Sequence, residues 1–292
     1  MPKLLKLGFA CAVGFALLAL WWHHHGSAWR GVSLVHPGWL PWAVLALVSS
    51  LCIQWIRTAL LVGRGVWQPI VSPVMLSHGV NVLAPSVLGD LLEISLLHRA
   101  LGRPARALLA RLLFRFGTTV SALGVLTGVA VASVDPSVGF AIAATAACAP
   151  YALDATTAAW SARLAIPGTQ AIEPMAGIGW RQTSAHSALA LVQHALSAAS
   201  VFLLGAALDD AVSPAIAAGM LALADFATYL PVPLAGIGLH HWSVSTIAQI
   251  GGSVPTALVV ANHGLIVSIG IAAAALGWWF GADKLPPTLH ND

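Results

Sequence analysis

The chain has 292 residues, of which 58% are hydrophobic and only 8% charged, and its mean hydropathy is +0.85. Soluble domains carry about 25% charged residues. This composition therefore excludes a soluble domain and predicts an all-α polytopic membrane protein, with residues 1–292 in a single transmembrane domain. The net charge of +3 lies mostly in short loops between apolar segments, where basic residues report membrane topology rather than nucleic-acid binding.

Two apolar helices are predicted in the N-terminal part, residues 1–64. The first, Leu4–Trp22, has no small-residue cleavage site behind it, which favours an uncleaved membrane helix over a signal peptide. The second runs from Trp39 to Ile56 and ends at Arg57. Both are long enough to count as full membrane spans.

The next stretch, residues 66–101, is apolar but interrupted. Prolines and glycines that weaken or end a helix recur through it at Pro73, Gly79, Pro85 and Gly89. Polar residues that lipid tails would penalise lie at Asn81, Asp90 and Glu93. Irregular backbone at membrane depth survives only where protein or water surrounds it. The stretch therefore predicts a re-entrant helical hairpin with a polar tip, followed by a full span that completes a first repeat over 66–134.

The second half of the chain returns to the same pattern. Spans at Val138–Trp160 and Ser184–Leu208 form a linking region, 138–208. An interrupted segment at 211–251 and a last span, Pro255–Phe280, then form a second repeat over 211–280. In it Ser213-Pro214 echoes Ser72-Pro73, and Asp225 stands where Asn81 stood. Paired interrupted segments in two halves point to a transporter binding site. The prediction is six full spans plus two re-entrant hairpins.

The distribution of charge predicts the orientation in the membrane. Under this threading one face collects the basic residues Lys3, Lys6, Arg57, Arg64, Arg99, Arg103, Arg106, Arg163, Arg181 and Lys284. The other face holds Arg30 with Asp135, Asp209 and Asp210. The positive-inside rule makes the basic face cytoplasmic. Both termini are then cytoplasmic, the two repeats are inverted, and the inner (cytoplasmic) membrane is the expected location.

The interrupted segments also carry a family resemblance. The first contains Asn81, Pro85, Gly89-Asp90, then Gly102 and a helix with Arg115; the second contains Leu230-Pro231, Gly236, Gly238 and Gly251. Over residues 65–280 the chain resembles the flippase-like membrane domain family, which includes the membrane region of bacterial lysylphosphatidylglycerol synthases. The chain departs from that pattern at Glu93 and at His240-His241, where relatives usually carry Arg and Arg-Glu.

The resemblance implies a translocator of a membrane lipid or lipid-linked headgroup. The expected partner is a phospholipid, polyprenyl-phosphate or glycolipid, without a cofactor, a metal or nucleic acid, and the protein is not expected to be an enzyme. Two alternatives stay open: an intramembrane enzyme using acid–base or metal chemistry, and a lipid-presenting partner of a lipid-modifying enzyme. Association with a second copy also stays open.

The candidate substrate-binding residues fall into two groups. Arg111 and Arg115, four residues apart, share a helix face and suit a phosphate, because guanidinium offers forked donors; the alternative is snorkelling to the interface. The second group lies at the hairpin tips and consists of Asn81, Asp90, Glu93, Asp225, His240 and His241. If the tips converge, Glu93 should face the histidine pair. Alternatively, Asp90 caps a helix and the histidines lie at the outer interface.

Four further polar residues are isolated within apolar segments: Asp154, His186, His194 and His263. We interpret them as interhelical hydrogen-bond formers rather than as ligands.

Overall fold

The computed structural model describes residues 33–63, 67–83, 86–103, 105–163, 178–209, 212–228 and 256–281. After a short 3₁₀ turn at Pro37–Trp39, these residues form helices that we number α1 (Leu40–Val62), α2 (Trp67–Leu83), α3 (Ser86–Leu101), α4 (Ala105–Ala132), α5 (Pro136–Arg163), α6 (Gly179–Ala207), α7 (Pro214–Thr228) and α8 (Thr256–Gly281). The described part of the chain contains no strand.

The prediction of an all-helical membrane protein is confirmed. Four helical segments are long and apolar enough to cross a membrane: Pro37–Val62, Ala107–Ala132, Gly179–Ala207 and Ala257–Gly281. Shorter apolar helices lie at Ile70–Val82 and Pro214–Phe226. The predicted first span, Leu4–Trp22, and most of the second interrupted segment lie outside the described residues.

Helix α1 corrects one predicted boundary. We expected this span to end at Ile56, with Arg57 at the membrane surface. The helix instead continues through the apolar run after Arg57 to Val62 and ends at Gly63, whose φ of 117° favours glycine. Arg57 therefore lies inside the helix, and it is only 1% exposed. Arg57 therefore cannot be used to assign the cytoplasmic face of the membrane.

Helices α4 and α5 form an antiparallel pair joined by a tight turn. Gly128 and Gly139 let the two backbones approach, because a Cβ at Gly128 would meet the Gly139 carbonyl oxygen at 2.7 Å. Asp135 caps α5: its Oδ1 accepts hydrogen bonds from the Ser137 and Val138 amides at 3.0 and 3.1 Å. The Ser137 hydroxyl also donates to it and is the main cause of a lowered pKa for this carboxyl, so Asp135 is ionised at neutral pH.

Helices α2 and α3 form the first interrupted segment, and α2 packs along part of α8. Ser72 donates a 2.6 Å hydrogen bond to the Gly277 carbonyl near the end of α8. Ten residues further along α2, Val82 lies beside Gly270. The C-terminal end of α2 therefore lies beside the middle of α8. The N-terminal half of α8 extends beyond that end.

Two apolar clusters mark the ends of the bundle. One joins the start of α1, the end of α6 and the start of α8, and it contains Ala43, Leu204, Leu208 and Leu258. The other joins the end of α1 to α2, α3 and the start of α4, and it contains Val62, Ile70, Leu97 and Leu108. Along α1, the residues between these clusters line a polar cavity.

The expected equivalence of Ser72-Pro73 and Ser213-Pro214 is not seen in the local structure. Pro73 lies inside α2, where Ser72 contacts α8. Pro214 is the first residue of α7, and the Ser213 hydroxyl accepts a 3.2 Å hydrogen bond from the Ile216 amide as a helix cap. The same dipeptide therefore continues one helix and begins another.

Candidate functional site

A buried ion pair joins the first interrupted segment to α4. The Arg115 guanidinium donates two parallel hydrogen bonds to Glu93, from Nη1 to Oε1 at 2.7 Å and from Nη2 to Oε2 at 2.9 Å. Glu93 is fully buried and Arg115 is 8% exposed. This forked geometry is the strongest common arrangement of arginine with a carboxylate. The pair therefore fixes α3 against α4.

Hydroxyl groups complete the coordination of the pair. Ser77 of α2 donates to Glu93 Oε2 at 3.0 Å. Thr58 of α1 accepts a 2.5 Å hydrogen bond from Arg115 Nη1 and lies 3.4 Å from Glu93 Oε1. Both charges thus have polar neighbours from four helices, which offsets the high cost of burying them.

Arg57 forms a second buried hydrogen-bond network, which adjoins the Glu93–Arg115 ion pair. Its Nη1 donates to Gln193 of α6 at 2.7 Å. Its Nη2 donates to the Arg115 carbonyl oxygen at 3.0 Å and to the hydroxyls of Thr118 and Thr119 at 2.8 and 3.1 Å. Because the carbonyl belongs to Arg115 itself, Arg57 also fixes the backbone that carries the ion pair.

The open side of the network is formed by Asp90 and Asn81. Asp90 Oδ1 lies 3.8 Å from Arg115 Nη2, and the Asp90 side chain is 41% exposed. The Asn81 amide nitrogen donates to the same oxygen at 3.3 Å. Arg115 therefore has a carboxylate on each side: Glu93 on the buried side and Asp90 on the side that faces open space.

That open space is a cavity of about 450 Å³ between the helices. Its polar lining includes Asn81, Asp90, Arg115, His194, Asp225 and Asn262. These residues come from α2, α3, α4, α6, α7 and α8, so both halves of the sequence contribute. Leucine, valine and isoleucine side chains with Phe116 form most of the apolar wall. Specific polar groups in a largely apolar enclosure are typical of a binding site for an amphipathic ligand.

The second half contributes a further acid–base pair. His194 Nδ1 of α6 lies 3.1 Å from Asp225 Oδ2 of α7. His194 is 5% exposed, whereas the Asp225 side chain is 32% exposed. Both side chains line the cavity, and the carboxylate is the more exposed of the two.

The structure brings together some of the predicted site residues. Asn81, Asp90, Arg115 and Asp225 line the same cavity. Glu93 lies behind Arg115, so it is a structural partner of the site rather than a surface of it. Among the described residues the charged partner of Glu93 is Arg115, which offers a forked donor; the expectation that Glu93 faces His240-His241 stays a prediction. His240 and His241 lie outside the described residues.

Arg111 does not join Arg115 at the cavity. Although the two arginines are one turn apart on α4, Arg111 donates from Nη1 to the Leu61 carbonyl at the end of α1. It is not among the residues that line the cavity. The predicted two-arginine phosphate site is therefore not formed, because the end of α1 provides a carbonyl acceptor at that position.

Three residues of the site were not predicted as such: Arg57, His194 and Asn262. Asn262 had no signal beyond being a polar residue in an apolar helix. The position of Arg57 inside a helix could have been predicted, because five apolar or small residues follow it before Gly63.

The expectation that isolated histidines form interhelical hydrogen bonds is wrong for His186. Its ring contacts Phe114 edge-on at a centroid distance of 5.6 Å. Neither of its ring nitrogens has a hydrogen-bond partner among the described residues. The side chain of Asp154 lies outside what the structure describes.

Comparison of the chain with protein-family models, with curated protein sequences and with solved structures finds no match. The function therefore has to be argued from the cavity itself.

Proposed function

We propose that the protein moves a membrane lipid or lipid-linked headgroup between the two leaflets. The observation that carries this proposal is the cavity of about 450 Å³, lined by charged and amide side chains from both halves of an apolar helical bundle. Polar groups inside a membrane are costly and mark substrate pathways. Ligand cavities commonly measure about 300–1,000 Å³, so this one suits a headgroup rather than a whole lipid.

We further propose that α2 and α3 form a re-entrant hairpin. Its support is that α2 ends beside the middle of α8, with Val82 next to Gly270. On this proposal α7 and the segment that follows it form a second, inverted hairpin over 211–251, giving six spans and two hairpins with both termini in the cytoplasm of a bacterial cell. Inverted repeats around a central site are common in secondary transporters.

The headgroup is proposed to bind at the open side of Arg115. Both terminal nitrogens of Arg115 already contact Glu93, so a phosphate has no free fork to occupy. The contact of Arg115 Nη2 with Asp90 Oδ1 is longer, at 3.8 Å, than its contact with Glu93. An anionic headgroup would compete with Asp90 for this nitrogen, while Asn81 and Asn262 are placed to hydrogen-bond to its oxygens. The flippase-like resemblance agrees with this class of substrate.

Movement of labelled lipid in proteoliposomes tests this function. The purified protein should accelerate the exposure of at least one of three fluorescent probes to an impermeant quencher: phosphatidylglycerol, a polyprenyl phosphate or a glucosyl diacylglycerol. Ile266→Trp, on the cavity wall, should slow it several-fold by filling the space. Leu276→Trp is the control, because Leu276 is on the same helix but 48% exposed on the outside of the bundle. Equal loss in both variants, or no acceleration of any probe, would count against the proposal.

A further inference from the structure

Ionisable side chains are concentrated around the cavity. The described residues that line it or lie directly behind it include two guanidiniums, of Arg57 and Arg115, and three carboxylates, of Glu93, Asp90 and Asp225. Two of these carboxylates, Asp90 and Asp225, line the cavity itself. The stretch 229–255, which follows α7, contains no Asp, Glu, Lys or Arg in its sequence.

An unbalanced charge is expensive in a bundle surrounded by lipid. An anionic headgroup entering this cavity would add a negative charge beside these carboxylates. The least costly compensation is a proton taken from water, because imidazole groups that could bind it lie next to the carboxylates. Loading an anion and binding a proton are then favoured together.

The His194–Asp225 pair is the place where such a proton fits best. His194 Nδ1 is 3.1 Å from Asp225 Oδ2, which is within ion-pair distance, and both ring nitrogens are buried without a hydrogen bond among the described residues. A protonated imidazole would have Asp225 as its ionic partner. The exposed edge of Asp225 gives the proton a route from the water in the cavity.

Other charged and titratable groups face the cavity from the remaining helices. They are Arg57 on α1, His78 on α2, Asp90 on α3, Arg115 on α4 and His263 on α8. Arg115 is already held by Glu93 and approached by Asp90. Among the described residues, only the His194–Asp225 pair combines an imidazole within ion-pair distance of a carboxylate with exposure of that carboxylate to the cavity.

We propose that the His194–Asp225 pair binds one proton when an anionic headgroup enters the cavity and releases it when the headgroup leaves, so that lipid movement is coupled to protons. This inference rests on the proposed translocation. The proton comes from water on the loading side, resides on the imidazole beside the carboxylate, and returns to water on the opposite side. No bond to the lipid is made or broken.

Two measurements test the coupling separately from the translocation. In proteoliposomes that contain a pH-sensitive dye, labelled phosphatidylglycerol should move several-fold faster when a pH gradient is imposed, and its movement should carry protons. Labelled phosphatidylcholine, which has no net charge, should carry none. Asp225→Asn should remove both the acceleration and the proton flux. His36→Gln is the matched control, because His36 and Asp209 form a similar pair at 3.6 Å that is exposed at the end of the bundle.

Infrared difference spectra between mildly acidic and mildly alkaline pH test the pair in the absence of transport. The wild-type protein should show an imidazole band with a shifted carboxylate band, and both should be missing in Asp225→Asn. Lipid movement that is insensitive to the gradient would overturn the coupling while leaving translocation intact. Failure to move any lipid would overturn translocation and the coupling with it. Identical spectra for wild type and variant would show that the pair binds no proton.

Discussion

Replacing Arg115 with alanine is expected to lower the free energy of unfolding by about 3–5 kcal/mol, the usual cost of removing one partner of a buried ion pair. The reason is that Glu93, which is fully buried, loses its cation and both hydrogen bonds from the guanidinium. Ser77 and Thr58 cannot replace a cation. The measurement is denaturant or thermal unfolding of the purified protein in detergent.

Three companion variants give this experiment its controls. Arg99→Ala removes an exposed arginine of α3 and should change stability by less than about 0.5 kcal/mol. Arg115→Lys should restore only part of the loss, because a point charge cannot form the fork. The double variant Glu93→Leu/Arg115→Met should be nearly as stable as wild type, since apolar replacement of a whole buried pair is often neutral. An Arg115→Ala protein with wild-type stability would show that the pair does not hold the bundle together.

The double variant also separates stability from function. Once both charges are gone, the protein should fold but should no longer move labelled lipid, because the cationic edge next to Asp90 is lost. Wild-type transport by a folded double variant would remove Arg115 from the binding site.

Replacing Arg57 with alanine is expected to cost at least about 2 kcal/mol, since each buried polar partner left unsatisfied costs about 1–3 kcal/mol. The side chain joins α1 to Gln193 on α6 and to the Arg115 carbonyl, Thr118 and Thr119 on α4. Thr118 also donates to the Arg115 carbonyl at 2.8 Å, but that bond lies within α4 and cannot hold α1 or α6, so the three helices should loosen together. The same unfolding assay measures this loss.

Arg57→Lys is the informative control for this position. It keeps the positive charge that partly balances the carboxylates, but its three donors on one nitrogen cannot reach both α4 and α6 as the guanidinium does. Partial recovery of stability is therefore expected. Full recovery would show that charge alone matters at this position, and an unchanged Arg57→Ala protein would show that the contacts contribute nothing.

The sequence predicted much of the architecture because Gly, Pro and hydropathy act locally. The helices on either side of Pro85 were expected, and the glycines explain close approaches; a Cβ at Gly79, for example, would lie 2.7 Å from the Gly270 carbonyl oxygen. Some polar residues in apolar segments also lie together. Asn81, Asp90, Arg115 and Asp225 line one cavity, whereas most of the predicted second tip lies outside the described residues.

The pairings could not be predicted, because they depend on which helices become neighbours. Nothing in the order of residues favours Arg115 as a partner of Glu93. The choice follows from the packing of α3 on α4, which places a forked donor opposite the carboxylate. Arg57 was assigned to the membrane surface because arginine is normally found there, but its partners are side chains on α4 and α6, 136 residues away in the case of Gln193. Tertiary hydrogen bonds outweighed the local preference.

Two-sided cysteine labelling tests the central claim, that the polar cavity can open to either face of the membrane, most directly. In a background with Cys11, Cys52 and Cys148 replaced by serine, Gln54→Cys places a thiol on the cavity wall. We predict that it reacts with an impermeant reagent added from either side. Ser137→Cys, next to the α4–α5 turn, should react only from outside, and Thr169→Cys only from the cytoplasm. Labelling of Gln54→Cys from one side only, or from neither, would contradict translocation through this cavity.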